Sequence, residues 1–286
     1  MKENVFLILG GDNRSLYIGE YLENNGLKTC YYAFNQTDCF KTLSEAVTEA
    51  NYIILPLPFT RDRITLNAPL FDEKILISDI YPLATPDKMF FGGQLPNSFC
   101  EELSARRVPF CDYFNLEELA IYNAVPTTEG IIQIILEELP ITIHGMKCAV
   151  LGNGKVGKNL SVALKALGAE VSVFARKEKD FADIHTKALI PKHYYELKNE
   201  QSDYDVVINT VPAKVLSFSE LKNLKPDCLI IETASAPFGI DFQAAKELAL
   251  NVIKAGSLPG KVAPKSAGEI IGRSILPIIE ARRFSD

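Results

Sequence analysis

Short runs of almost wholly apolar residues recur along the chain, with amphipathic stretches of helical spacing between them. VFLIL opens the series at residues 5–9. NYIILPLPF (51–59), KILISDIYP (74–82), DVVINTVPA (205–213) and CLIIETASAP (228–237) each run from apolar residues into a loop that carries proline. A run that is apolar at every position predicts a strand buried on both faces, as in a parallel sheet covered by helices. The pattern repeats in two halves, and NYIILPLPF mirrors DVVINTVPA as KILISDIYP mirrors CLIIETASAP. It predicts an α/β protein of two doubly wound, parallel-sheet domains of Rossmann-like form joined by a crossing helix. The expected division is residues 1–125 for the first domain and 126–286 for the second. A last amphipathic helix, 266–283, presents Ile270, Ile271, Ile275, Ile278 and Ile279 on one side. It is expected to pack back on the first domain.

The stretch KCAVLGNGKVGKNLSVALKALGAEVSVFARK (147–177) carries the clearest chemistry. Gly152, Gly154 and Gly157 stand in G-x-G-x-x-G spacing between an apolar run and an amphipathic segment that ends at Gly168. A second apolar run follows. This strand, turn, helix and strand context is what a dinucleotide fingerprint requires. The turn Gly152-Asn153-Gly154-Lys155-Val156-Gly157 is read as the pyrophosphate cradle, with free N–H groups of the helix start facing the anion. An NAD site carries Asp or Glu at the end of the second strand. Here that place holds Ala175, followed by Arg176 and Lys177, so nothing repels a 2′-phosphate and two cations can pair with it. NADP is therefore the expected cofactor.

The first half opens with a faded copy of this stretch. VFLILGGDNRSLYIGEYLENNGLKTCYYAF (5–34) aligns with it without gaps, but Asp12 stands where Gly154 stands and Ser15 where Gly157 stands. A carboxylate at that place would repel a pyrophosphate, and the serine side chain is expected to push helix from strand. This half is therefore read as the substrate side, with Asp12 and Arg14 projecting from a strand end where open α/β sheets bind ligands. Arg61 and Arg63, after the next strand, are further candidate anion ligands.

Between the halves, Asn115-Leu-Glu-Glu118 reads as a capping box opening a helix. Pro126 is expected to break it, and Thr127, Thr128 and Glu129 to open a second helix to Leu139. Its start, Pro126 to Gly130, would offer N–H groups and threonine hydroxyls to a substrate carboxylate. His144, in Thr142-Ile-His-Gly145, is a candidate proton acceptor. In the second half, Asn209-Thr210-Val211-Pro212 and Thr233 to Ser235 follow apolar strands at the cofactor end. Ala255-Gly-Ser-Leu258-Pro-Gly260 follows a last apolar run and is expected near the nicotinamide. The polar stretch 177–204 is read as surface, with His185 and His193 on it.

Composition narrows the function classes. Formal net charge is −6 and hydrophobic content 47%, which argues against a nucleic-acid or membrane-surface role. The first apolar run is too short for a leader or a membrane span, and Asp12 interrupts it. Six cysteines and three histidines show no metal-ligand spacing, and the cysteines read as buried, reduced thiols of a cytoplasmic protein. No metal is expected.

The layout resembles the two-domain D-2-hydroxyacid dehydrogenases and S-adenosylhomocysteine hydrolases. Two departures separate it from the dehydrogenases: Ser235 stands where their substrate-binding arginine is placed, and no His-Pro-like loop occurs near residues 255–265. A resemblance covering nearly the whole chain is to the dipicolinate synthase A-subunit family of spore-forming bacteria. Gly10-Gly-Asp12, Ile121-Tyr-Asn123, Pro126-Thr-Thr-Glu-Gly130, Thr142-Ile-His-Gly145, the fingerprint with Ala175-Arg176, Asn209-Thr-Val-Pro212 and Leu258 to Gly268 carry it. It implies NADP-dependent oxidation of dihydrodipicolinate to pyridine-2,6-dicarboxylate in the cytoplasm of the mother cell. It also implies, as partner, the flavoprotein-like B-subunit of dipicolinate synthase. A homo-oligomer is also expected. Under that reading Thr127, Thr128, Lys265 and then Arg14 are the candidate carboxylate ligands, and Glu129, His144 or Asp12 the candidate proton acceptor. Two other classes stay open: an NADP oxidoreductase for another small acid, and a non-catalytic NADP-binding scaffold or redox sensor.

Overall fold

The computed structural model describes residues 4–199 and 202–283. The chain divides into two compact units: residues up to Asn123 together with those from Ala263 onward, and residues Ala124–Val262. In the first unit the order is β1 (Val5–Leu9), α1 (Asn13–Asn24), β2 (Lys28–Tyr32), α2 (Leu43–Glu49), β3 (Tyr52–Ile54) and α3 (Ile77–Ile80). Then come β4 (Met89–Gly92), α4 (Asn97–Ala105), β5 (Phe110–Asp112) and the start of α5 (Glu117–Glu138). The five strands are parallel, in the order β2-β1-β3-β4-β5. This is the flavodoxin-like member of the doubly wound class.

Period-two alternation explains why the strands read as unbroken apolar runs. On β1, Leu7 and Leu9 enter the core on one face of the sheet, and Phe6 and Ile8 the core on the other. α12 (Pro264–Arg283) closes the second face. Its Ile271, Ile275 and Ile279 join Ile18 and Leu22 of α1 in that core. The two helices approach closely because glycines face α1: a Cβ on Gly268 would lie 2.5 Å from the Arg14 carbonyl oxygen, and one on Gly272 2.5 Å from the Tyr21 ring.

In the second unit, β6 (Lys147–Leu151), α6 (Lys155–Ala166), β7 (Glu170–Ala175), α7 (Glu178–Thr186), β8 (Ile190–His193) and α8 (Tyr194–Asn199) form one half. β9 (Val206–Asn209), α9 (Phe218–Leu221), β10 (Leu229–Glu232), α10 (Phe242–Glu247), β11 (Asn251–Lys254) and α11 (Leu258–Val262) form the other. The sheet is parallel throughout, with strand order β8-β7-β6-β9-β10-β11. That is the Rossmann order, with its switch point between β6 and β9. The alternation recurs: Cys148 and Val150 face one core, Ala149 and Leu151 the other.

Three expectations need correction. KILISDIYP is not a strand: Ile77–Ile80 is a helical turn whose Ile77 and Ile80 pack at i, i+3 onto the core, and the strand beside β3 is Met89–Gly92. A short apolar run carries no periodicity that separates the two outcomes. Pro126 does not break the crossing helix, because α5 runs unbroken from Glu117 to Glu138 with the proline inside. One missing N–H and a ring clash are outweighed by apolar anchors along the helix, such as Leu119 in one core and Ile131 and Ile135 in another. Its length and apolar composition would suffice for a membrane span, but these anchors make it a core helix of an α/β protein. Nor are all the cysteines buried. Cys30, Cys148 and Cys228 are, and burial pushes their thiols up to about 12, whereas Cys39 is exposed; all six are free.

The α1–α12 contact generates a stability prediction. Gly268→Val should lower unfolding free energy by about 1–3 kcal/mol through overpacking against backbone. Gly26→Ala, at an αL turn with open space around it, should cost about 1–2 kcal/mol from its positive φ alone, with no overpacking. Chemical denaturation of the two variants would read the difference.

Candidate functional site

At the switch point of the second unit, β6 ends on Leu151 and the chain turns through Gly152, whose φ of +104° suits glycine. A Cβ there would lie 2.6 Å from the Thr210 hydroxyl, and one on Gly157 would lie 2.1 Å from the Gly152 carbonyl oxygen. These two glycines are therefore required by the protein's own packing. Gly154 is not: nothing lies within 4 Å of a Cβ built on it, and the residue is exposed. Gly154 is also the N-cap of α6, with no side-chain capping bond and no acidic residue in the first turn. A helix start without a side-chain cap suits an anion. The side of Gly154 facing that start is open space.

The turn is braced from outside. Asn153 donates its amide to Asp183 of α7 (2.9 Å), and Asp183 also pairs with Lys187 (2.7 Å) and Lys158 (3.2 Å). Lys187 first, then Asn153 and Lys158, hold the Asp183 carboxyl well below the usual carboxylate range. A lowered folded value means that this brace is fully present above the ordinary pKa of about 3.9 and is lost only as pH falls through the folded value. It is intact at neutral pH.

The loops after β9 and β10 are held by a buried carboxylate that its sequence context, Glu232-Thr-Ala-Ser235, does not single out. Glu232 is 2% exposed. It accepts from the Asn209 amide (2.8 Å) and the N–H groups of Ala234 (2.9 Å), Gly239 (2.8 Å) and Ile240 (3.2 Å). Asn209 in turn donates to the Val211 carbonyl (3.0 Å) and accepts from the Val211 N–H (3.1 Å). The Thr210 hydroxyl donates to Leu151 O (2.8 Å) and the Thr233 hydroxyl to Asn209 O (2.6 Å). The side chains of Asn209, Thr210 and Thr233 thus fix the loop shape, while Pro212 and Ser235 stay exposed. Only a glutamate or aspartate ending a strand, followed by a glycine loop, could have signalled this device.

At the ends of β7 and β8, Ala175 is buried, Arg176 is exposed with its guanidinium 5.5 Å from the Tyr194 ring centroid, and Lys177 is the N-cap of α7. Lys155 and Val156 open α6. Leu258 is buried, and its side chain packs 3.0 Å from a Cβ placed on Gly130, so it is a packing residue.

The remaining candidates are scattered. His144 lies before β6, and its ring packs over Gly168 ahead of β7. It stands at the N-terminal edge of the sheet, five residues of strand (about 16 Å) from the glycine turn at the other edge. His144 is corrected from proton acceptor to loop residue on this ground. With α5 continuous, Pro126 to Gly130 is mid-helix, and Thr127 and Thr128 offer no free helix start. Thr128 is buried with its hydroxyl unpartnered among the described residues, and Glu129 is exposed. In the first unit Lys265 is exposed beside α1, 3.6 Å from Glu20 and 5.9 Å from the Tyr17 ring centroid.

Asp12 and Arg14 form a pair instead of two free ligands. Asp12 caps α1, accepting from the Arg14 N–H (3.1 Å), and its carboxylate takes Arg14 Nε (2.9 Å) and Nη2 (2.8 Å). Arg14 is buried and also donates to Leu57 O. Ser15 does not force helix from strand, because Gly11, at φ +110°, leaves room for it: a Cβ on Gly11 would lie 2.0 Å from the Ser15 hydroxyl.

A Rossmann sheet with an open, uncapped glycine turn at its switch point, in one chain with a flavodoxin-like unit, defines a two-domain nicotinamide-dependent oxidoreductase. The model of the D-isomer specific 2-hydroxyacid dehydrogenase NAD binding domain matches residues 133–249, and that of the N-terminal domain of the dipicolinate synthase A-subunit matches residues 5–114. The chain is 31% identical over 280 residues to the dipicolinate synthase A-subunit of Bacillus subtilis (strain 168), covering 95% of this chain and 94% of that protein. It belongs to the dipicolinate synthase A-subunit family. The crystal structure of the Bacillus halodurans A-subunit superposes with a TM-score of 0.89 at 29% identity, over 96% of this chain and 97% of that one. A transhydrogenase from Sinorhizobium meliloti shares the fold at 12% identity and a TM-score of 0.71, over 98% of this chain and 94% of that one.

Two predictions separate ligand space from packing. Gly154→Ala should leave stability within about 1 kcal/mol while weakening nicotinamide-dinucleotide binding at least tenfold; Gly157→Ala should destabilise the fold itself. Thermal unfolding with and without nucleotide would distinguish them. Glu232→Gln, which sets an amide against backbone donors, should cost about 3 kcal/mol and open residues 233–241 to proteolysis.

Proposed function

We propose that this chain catalyses NADP-dependent oxidation of dihydrodipicolinate to pyridine-2,6-dicarboxylate, working with a flavoprotein-like B-subunit in the cytoplasm of a sporulating mother cell. What carries the reading is the open Gly154 turn in a chain of the dipicolinate synthase A-subunit family. In this reading the second unit holds the cofactor and the first the substrate.

The residues present fit the cofactor. The α6 helix start takes the pyrophosphate, with Gly154 leaving room for it and the Asn153–Asp183 brace holding the turn. Arg176, steadied on Tyr194, and Lys177 meet a 2′-phosphate, and Ala175 in place of an acid removes the repulsion that selects NAD. The bound nicotinamide supplies hydride acceptance. The chain's share is to orient the dihydropyridine ring, hold its carboxylates and let one proton leave as the ring becomes aromatic. Since aromatisation favours the step, water suffices as proton acceptor, which agrees with His144 lying at the far edge of its sheet; Lys265, a candidate carboxylate ligand, lies beside Glu20.

The same two placements favour a second reading, a non-catalytic NADP-binding scaffold for the partner protein. The readings separate in one experiment. Purified chain with fresh dihydrodipicolinate and NADP⁺, with and without the B-subunit, should yield NADPH and dipicolinate together by ultraviolet absorbance. Cofactor binding without turnover under either pairing supports the scaffold. Arg176→Ala should weaken NADP⁺ at least tenfold and change NAD⁺ affinity less than threefold in parallel titrations; equal losses for both would remove the 2′-phosphate assignment.

A further inference from the structure

In the first unit the crevice at the switch point between β1 and β3 is filled by the chain itself. The Asp12–Arg14 pair occupies the start of α1, and Arg14 reaches Leu57 O across to the loop that follows β3. One strand further along the same edge, the loops after β3 and β4 enclose a cavity of about 530 Å³. Ligands of open α/β sheets bind outside the carboxyl ends of strands, and pockets of about 300–1,000 Å³ hold small molecules.

The lining is cationic. Arg61 and Arg63 border the cavity, and among the described residues neither guanidinium makes an ion pair. The carboxylate between them forms no ion pair with either among the described residues. Asp62 is turned into its own loop, where it accepts from the N–H groups of Thr65 (2.7 Å) and Ile64 (2.8 Å) and from the Thr65 hydroxyl (2.7 Å). Arg61 is aimed by Asn67, which is 7% exposed: its Oδ1 accepts from Arg61 Nε (3.1 Å) while its amide donates to Pro58 O (3.0 Å). On the same lining, α4 starts at Asn97 with Pro96 as N-cap, no capping side chain and no acid in its first turn. The walls are aromatic, with the Tyr81 and Phe99 rings 5.6 Å apart at 32°. Two guanidinium groups without ion pairs and a helix start on one lining suit an anion, and tilted rings beside them suit a flat, conjugated body. In a chain of net charge −6, this local excess of cations is set against the general field.

We propose that this cavity is a carboxylate subsite that takes a planar aromatic carboxylate, Arg61 and Arg63 pairing with its carboxylate group. The identity of that ligand as pyridine-2,6-dicarboxylate, or its dihydro precursor, rests on the function proposed above; the site itself does not.

The test is calorimetric titration of the full chain with pyridine-2,6-dicarboxylate, benzoate, inorganic phosphate and NADP⁺, the first three with and without saturating NADP⁺. Arg61→Ala/Arg63→Ala should weaken aromatic carboxylates at least tenfold and leave NADP⁺ within twofold. Ser98→Asp, which places a carboxylate where the ligand anion would sit yet suits a helix start, should weaken them as much without lowering the melting temperature. Lys41→Ala, an exposed charge elsewhere on the unit, should change nothing. Unaltered binding in both site variants, no aromatic carboxylate binding by the wild type, or binding of phosphate alone through these arginines would each overturn the proposal. Benzoate binding through Arg61 and Arg63 with no binding of pyridine-2,6-dicarboxylate would keep the site and remove the substrate reading.

Discussion

A helix that starts directly above the end of a buried strand presents backbone N–H groups that no carbonyl of its own can satisfy. Both units of this protein contain that arrangement, and most of what distinguishes them follows from how each one meets it. Asp12 and Gly154 occupy the same place with nearly the same backbone, φ −91° and ψ −170° against φ −84° and ψ −167°. In the first unit the Asp12 side chain supplies the anion, and Arg14 balances its charge. In the second unit no side-chain cap does so, and the glycine leaves that space open. One difference at a shared backbone position thus separates an open helix start from a self-capped turn.

The surroundings of the open turn are organised by complete hydrogen-bond accounting. Glu232 has four donors converging on it and sits at the C-terminal end of β10, where backbone N–H groups of an irregular loop would otherwise be buried without acceptors. Asn209 links that carboxylate to the loop after β9, and Thr210 links the same loop back to Leu151 on β6. The neighbouring strands β6, β9 and β10 are therefore fastened to one another at the C-terminal edge of the sheet. Such fastening keeps a glycine-rich edge rigid enough to pre-form a binding surface.

Much of this was legible because its causes are local. Apolar runs with period-two burial on both faces identify a parallel sheet, and three glycines at fixed spacing can be assigned from backbone geometry alone. Other features were not legible. Ile75, Ile77 and Ile80 form a run that suits a strand or a helical turn equally, and only the core that receives them decides. The β8 strand, Ile190-Pro-Lys-His193, is a polar edge strand with no apolar pattern to mark it. His144 was attractive by residue type, but its position relative to the sheet's two edges is a property of topology. Glu232 looked like one polar residue among several, since its four donors come from positions 2, 7, 8 and 23 residues away in the chain.

The sequence by itself determined the two-fold α/β plan, which half is the nicotinamide-binding domain and the contrast between Asp12 and Gly154, because each rests on residues adjacent in the chain whose backbone demands are intrinsic. Only the tertiary structure decided that α5 passes unbroken through Pro126, that Asp12 and Arg14 satisfy each other, and that Arg61 and Arg63 line one cavity with a helix start. Those outcomes depend on which distant groups are brought within a few ångströms, where burial and pairing set energies that local propensity cannot.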